Sequence, residues 1–357
     1  ASTFRQKHPD EWEKYDYSRS GNPTRDALER TVASLEEGVG ALAYSTGMAA
    51  IHGVLQLLHA GDHLIVAGNV YGGTYRLIKK ILQNLHIHAT FVPSVQSEDI
   101  AGAFRRSTKM LWVESIGNPL LEVVDIRECV ALAKENNTLF VVDNTFATPV
   151  LVQPLTLGAD IVVHSATKYF GGHSDLIGGV AIIKDEKPFS QLKFIQNATG
   201  AVMSAFDCFL CSRGLKTLIA RVQEQSTTAK CIAEFLKRHR FIKCVYYPGL
   251  SAHASHKVAK KQFGEYAGAL VSFEVANFQQ AKTIVESTRL FHLAVSLGAV
   301  ESLIEIPACM SHATYSSKDL VHHSISDSLI RLSVGLESFN DLRADLEQAF
   351  TLASQES

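Results

Sequence analysis

The chain has 357 residues, with 34 Lys and Arg against 36 Asp and Glu, a formal net charge of −2. Its hydrophobic share of 46% and its length suit one large domain or two, which excludes a disordered, collagenous or disulfide-stapled chain. The balanced charge leaves no electrostatic footprint for nucleic acid or an anionic membrane, and no apolar run approaches the ~20 residues of a membrane span.

In chain order, Ala1 to Asp10 is polar and does not read as a signal peptide. The first ~20 residues carry Trp12, Tyr15 and Tyr17 among charges and read as an arm that packs on something else, such as another subunit. A helix is expected over Thr24–Glu37, with Leu28, Val32 and Leu35 on one stripe. Ala41 to Ala50 reads as a strand, a small-residue turn and a helix start. Strands are expected at His63–Ala67, Thr90–Pro93, Met110–Glu114, Leu139–Asp143, Ile161–His164 and Val180–Ile183. Helices are expected at Gly73–Leu85 and Asp125–Asn136. Most of these strands are continuously apolar, as in a sheet covered on both faces. The alternation predicts an α/β fold with a doubly wound, mostly parallel sheet. Beyond it, a long helix is expected over Arg213–His239, strands at Val245–Tyr247, Leu270–Val275 and Leu329–Val334, and helices at Phe278–Ser287 and Asn340–Ala353. This second part reads as a smaller α+β domain. The expected division is an arm 1–20, a first domain 21–215 and a C-terminal domain 216–357, with the boundary near Gly214–Lys216.

The six cysteines are scattered and read as free thiols of a reducing, cytoplasmic compartment. Cys208-x-x-Cys211 reads as packing thiols on a buried helix face with Phe206, Phe209 and Leu210. No zinc set is completed, and His86, His88, His322 and His323 read as ordinary polar residues, so no metal is expected. A dinucleotide G-x-G-x-x-G, a nucleotide P-loop and a G-x-S-x-G elbow are all missing.

The informative stretch is Ile161-Val162-Val163-His164-Ser165-Ala166-Thr167-Lys168, an apolar strand ending in two hydroxyls and a lysine. A lysine at the carboxyl end of a sheet strand sits where such folds bind ligands, and burial would make it a nucleophile for a carbonyl. On this window alone, a surface loop lysine is an equal reading. Asp143 ends another apolar strand 25 residues before Lys168, about one strand–helix–strand step. Adjacent parallel strands would deliver both to one edge. Pyridoxal phosphate needs that pair: a lysine for its aldehyde and an acid to keep its ring nitrogen protonated. Asp143 could otherwise cap a turn. Gly47 and Met48 would open a helix with free N–H groups for a phosphate, with hydroxyls added by Ser165 and Thr167.

With these pieces the sequence resembles the Cys/Met-metabolism family of pyridoxal-phosphate enzymes over essentially its whole length. That family contains cystathionine γ-synthase, cystathionine γ- and β-lyases, methionine γ-lyase and homoserine sulfhydrylases. The carrying segments are Tyr17–Arg25, Val70–Thr74, Val142–Phe146, His164–Tyr169, Ser296–Gly298 and Ile330–Glu337. The resemblance implies a type I, aspartate-aminotransferase-like fold. It implies that Lys168 binds the cofactor aldehyde and shuttles protons, that Asp143 pairs with the ring nitrogen, and that Tyr71 stacks on the ring and aids acid–base steps. Gly47, Met48, Thr145, Ser165 and Thr167 would complete the cofactor site. Tyr17 and Arg19 would reach the phosphate of a neighbouring subunit, in a dimer of dimers with shared active sites. Arg331, a charge inside the apolar run Ile330-Arg331-Leu332, must be paired or bind an anion. The resemblance makes it the clamp for a substrate α-carboxylate, supported by Asn118 and Ser296. Arg76, and less so Asp16, would meet the distal end of an amino-acid substrate. Family members have more residues before the arm, so an N-terminal segment is expected to be missing.

Four positions depart from the family pattern. Gly73 stands where methionine γ-lyases carry cysteine, Val295 where many γ-type enzymes carry glutamate, Gly117 where a hydroxyl residue is usual, and Ala205 where proline is common. The expected activity is a cystathionine lyase of transsulfuration, with γ-cleavage to cysteine, 2-oxobutanoate and ammonia placed slightly first. β-Cleavage to homocysteine, pyruvate and ammonia comes next, then cystathionine γ-synthase or a homoserine sulfhydrylase. A cofactor-binding partner protein without catalysis is the distant alternative.

Overall fold

The computed structural model describes residues 1–355 apart from 314, 316–319 and 321–323; His322 and His323 lie outside the described residues. The arm doubles back on itself, with Thr3 bridging Tyr17 and the Phe4 N–H donating to Asp16 O at 2.8 Å. It is held to its own chain, since Arg25 donates to the carbonyls of Ser18 (2.7 Å) and Arg19 (2.9 Å). Trp12 and Tyr17 stay exposed.

Helix α1 (Pro23–Glu36) starts where Asn22 Oδ1 accepts from the N–H groups of Thr24 and Arg25, with proline in the first turn. There follow β1 (Gly40–Tyr44), α2 (Gly47–Leu55), β2 (His63–Ala67), α3 (Gly72–Lys80), β3 (His88–Val92), α4 (Ser97–Ala101) and β4 (Thr108–Glu114). The order continues α5 (Ile126–Glu135), β5 (Leu139–Asp143), α6 (Thr148–Leu151), α7 (Pro154–Leu157), β6 (Ile161–Ser165), β7 (Gly179–Ile183), α8 (Glu186–Thr199), α9 (Ala205–Leu215) and α10 (Leu218–Lys237). The seven strands order as β1-β7-β6-β5-β4-β2-β3. β3, β2, β4, β5 and β6 pair in parallel, and β7 is antiparallel to both β6 and β1. Alternate residues feed two cores. Leu111, Val142 and Val162 pack on one face, while Trp112, Val141 and Val163 pack on the other with α2 and α3. The continuously apolar strands are the result of this two-sided burial.

A second sheet orders as β10-β11-β12-β9-β8, from β8 (Cys244–Tyr246), β9 (Leu270–Glu274), β10 (His292–Leu293), β11 (Leu303–Glu305) and β12 (Leu329–Ser333). Helices α11 (His256–Phe263), α12 (Phe278–Ser287) and α13 (Phe339–Gln355) accompany it.

Two expectations need correction. The long helix over Arg213–His239 is broken into α9 and α10 between Leu215 and Leu218. Gly214 is pressed against the loop after Lys168, so that a Cβ there would come within 2.3 Å of Gly171 O. The cysteines of α9 are buried, and burial pushes the Cys208 thiol up to about 12. Phe206 and Phe209, expected on that buried face, are instead 69% and 55% exposed. No helix among the described residues is long and apolar enough to cross a membrane.

Candidate active site

The carboxyl ends of β4, β5 and β6 carry Glu114, Asp143 and Ser165 to one sheet edge. Glu114 lies opposite Asp143, and Asp143 opposite Val163. The edge opens into a cavity of about 470 Å³ between the two sheets. Gly47, Met48, Tyr71, Arg76, Asn118, Asp143, Thr145, Ser165, Thr167, Lys168, Ser296 and Arg331 all line it. Tyr17, Arg19 and Asp16 do not. The Arg19 guanidinium lies 5.8 Å from the Tyr17 ring centre on the arm.

Lys168 follows β6 in a tight turn, its N–H donating to Ser165 O at 3.1 Å. Its Nζ donates to Ser296 Oγ at 2.6 Å. Burial, then the Arg331 charge, pull the amine down to about 8, while Glu305 acts the other way. Ser296 itself has φ of 96°, a region non-glycine residues adopt only when their surroundings hold them there.

Asp143 is buried, and its Oδ1 accepts from the Thr145 N–H (3.0 Å) and hydroxyl (2.6 Å). Burial raises its pKa, and these two hydrogen bonds oppose the rise. Thr145 Oγ1 also accepts the Ser165 N–H at 2.8 Å, which ties the acid strand to the lysine strand.

At the start of α2, the Thr46 hydroxyl caps Ala49 N–H at 2.9 Å, and the N–H groups of Gly47 and Met48 have no acceptor among the described residues. A Cβ on Gly47 would come within 2.9 Å of Ser165 Cβ. Glycine there lets the helix end and the lysine strand share one anion cradle.

Arg331 is 3% exposed. It donates to Asn118 Oδ1 (3.0 Å) and Ser296 O (2.8 Å), and pairs with Glu305 at 3.0 Å. Its Nε is buried and has no hydrogen-bond partner among the described residues. Glu305 lies directly across the ladder from Arg331 and also accepts from Ser311 Oγ at 2.6 Å. The sequence reading missed Glu305 and Glu114. Both are acids in apolar strands, the same signal that singled out Arg331.

The Tyr71 N–H donates to Glu114 Oε1 at 2.5 Å. A Cβ on Gly73 would come within 2.4 Å of the Tyr71 ring, so the glycine that departs from the methionine γ-lyase pattern also makes room for this ring. A Cβ on Gly117 would meet Asn69 O at 3.1 Å, a tighter than ordinary contact that explains the small residue. Ala205 is the first residue of α9, capped by Ser204, where proline and alanine are interchangeable for the backbone.

A sequence profile described as Cys/Met metabolism PLP-dependent enzyme matches residues 1–351. The chain belongs to this family. Its cofactor is pyridoxal 5′-phosphate. A cystathionine β-lyase of Lactococcus lactis is 48% identical over 98% of this chain and 91% of that relative. A cystathionine γ-lyase of Bacillus subtilis is 44% identical over 98% and 92%. The solved structure of a cystathionine γ-synthase of Xanthomonas oryzae, in complex with cystathionine, superposes with a TM-score of 0.97 at 41% identity, covering 100% of this chain and 92% of that one. The residues present fit the family cofactor: a depressed amine and a buried acid lining one cavity, and a glycine-lined cradle with two N–H groups unengaged among the described residues.

Proposed function

We propose that this family member is a carbon–sulfur lyase of transsulfuration that cleaves cystathionine at the β position, giving homocysteine, pyruvate and ammonia. The observation that carries the reading is the partly neutral Lys168 amine, held on Ser296 Oγ within the same cavity as the Arg331 guanidinium. Arg331 binds the substrate α-carboxylate, with Asn118 and Ser296 O fixing the orientation of its guanidinium. Lys168 Nζ would hold the cofactor aldehyde, and its amine is the base that would take the Cα proton. Asp143 holds the ring nitrogen protonated. Gly47, Met48, Ser165 and Thr167 hold the phosphate, with Thr145 orienting Asp143. Bound pyridoxal phosphate supplies an electron sink for the Cα electron pair. Tyr71 covers the ring and brings its hydroxyl to the leaving thiolate. The departing homocysteine sulfur takes a proton, and the three-carbon remainder is hydrolysed to pyruvate and ammonia.

β-Cleavage needs one proton removed, at Cα, whereas γ-cleavage needs a second removed at Cβ. The exposed Val295 on the cavity wall offers no charge to the distal ammonium that cystathionine presents in either orientation, and the single deprotonation is the simpler demand, which places β-cleavage first. The higher identity to the β-lyase supports the same order. γ-Cleavage remains the second reading, supported by the 44% identical γ-lyase. Identifying the 2-oxo acid formed from cystathionine tests this. Pyruvate is expected; 2-oxobutanoate alone replaces the β reading with the γ reading, and turnover only of an acylated homoserine with cysteine overturns both.

The active unit is a dimer, paired into a tetramer, in which Tyr17 and Arg19 of each arm reach the neighbouring phosphate site. Their distance from their own cavity supports this, as do the exposed Phe194, Phe206 and Phe209. Mixed dimers of Arg19→Ala and Lys168→Ala subunits contain one intact composite site and are expected to regain activity that neither variant has alone. Hybrids as inactive as the parents would contradict the shared site.

A further inference from the structure

Tyr71 is 45% exposed, so packing alone does not fix it. It is followed by Gly72 and Gly73, the first two residues of α3, and glycine is a weak helix former there. At α3 the Tyr71 position has no side-chain cap of its own. Yet its N–H is met by one acceptor, the Glu114 carboxyl, at 2.5 Å. Glu114 is only 7% exposed and lines the cavity. No cation pairs with it among the described residues, which is unusual for a buried acid. It stands on the last residue of β4, where Ser115 N–H donates to Asp143 O at 2.9 Å.

We propose that Glu114 is a positioning residue whose carboxyl clasps the Tyr71 main chain and so fixes the ring-covering tyrosine relative to the Asp143 strand end. The clasp ties the residue that starts α3 to the rigid sheet edge. Burial and the neighbouring Asp143 both push the Glu114 carboxyl upward, toward its neutral form. The neutral acid still accepts through Oε1, so an amide of the same shape can replace it. This inference rests on the placement of Tyr71 over the cofactor and not on which carbon–sulfur bond is cut.

The test compares Glu114→Gln, Glu114→Asp and Glu114→Ala holoenzymes by cofactor dissociation constant, visible circular dichroism of the bound cofactor, and amide exchange of the Tyr71 peptide. Glu114→Gln keeps the acceptor in place and is expected to match the parent within about twofold. Glu114→Asp keeps the acid but withdraws the oxygen. It and Glu114→Ala are expected to weaken cofactor retention by about tenfold, the scale of one lost buried hydrogen bond, with a smaller dichroic band and faster Tyr71 exchange. If Glu114→Ala does not fold, the Gln and Asp pair decides. Parent-like Glu114→Asp with damaged Glu114→Gln would show that charge matters and the clasp does not, and would overturn the proposal. Unchanged dichroism and exchange in Glu114→Ala would do the same. These readouts are independent of the 2-oxo acid produced, so failure here leaves the β-cleavage reading standing.

Discussion

Burial and the Arg331 charge act together against the charged form of Lys168, and Glu305 holds it back from falling further. An amine near 8 has a far larger neutral fraction at neutral pH than a free lysine near ~10.4. Only the neutral amine attacks an aldehyde. The rate of pyridoxal phosphate uptake by the apoenzyme is therefore expected to rise with pH and level off above about 8. A rate still climbing steeply to pH ~10 would contradict the site electrostatics. The same pocket shows what a sequence can and cannot disclose about single residues. Arg331 was legible because a charge inside an apolar strand needs a partner. That its partner is Glu305, one strand over, was not, because β11 is three residues long and its register with β12 exists only in three dimensions. Glu305 compensates the charge of the buried Arg331.

At the scale of elements, the strands that carry chemistry were readable because two-sided burial writes a continuous apolar run. Leu139–Asp143 is found with the expected bounds, and Ile161–Ser165 extends its expectation by one residue. The broken helix was not readable. Its apolar content continues across Lys216 and Thr217, and the break comes from Gly214 meeting the backbone of Gly171. Next to this contact, the buried Arg221 of α10 donates to Tyr169 O (2.8 Å) and Gly214 O (2.9 Å). Gly172, at φ of 74°, leaves room for it. The turn that presents Lys168 is thus braced from the second half of the chain. β10 and β11 were missed because two or three residues cannot display a period of two. Phe206 and Phe209 were misread because hydrophobicity predicts burial without saying in what. Cys208 and Cys211 share the inward face of α9, and the phenylalanines face away.

For the whole molecule, the two sheets enclose one cavity to which both contribute: the first brings the amine, the acid and the anion cradle, the second brings Arg331 and Ser296. Residues 128 positions apart along the chain thereby meet within hydrogen-bonding reach, as Lys168 Nζ and Ser296 Oγ do beside Arg331. The arm stands apart. Its motif residues were legible in sequence, and Tyr17 and Arg19 stand outside the cavity of their own chain, which is why the role proposed for them lies in a neighbouring subunit. Everything proposed for the cavity depends on Lys168 as the cofactor-bearing residue. Borohydride reduction of the holoenzyme, followed by peptide mass mapping, tests it most directly. A pyridoxyl-phosphate mass is expected on the peptide containing Lys168, with no label on the Lys168→Ala variant. A label on another lysine, or unchanged labelling in that variant, would contradict it.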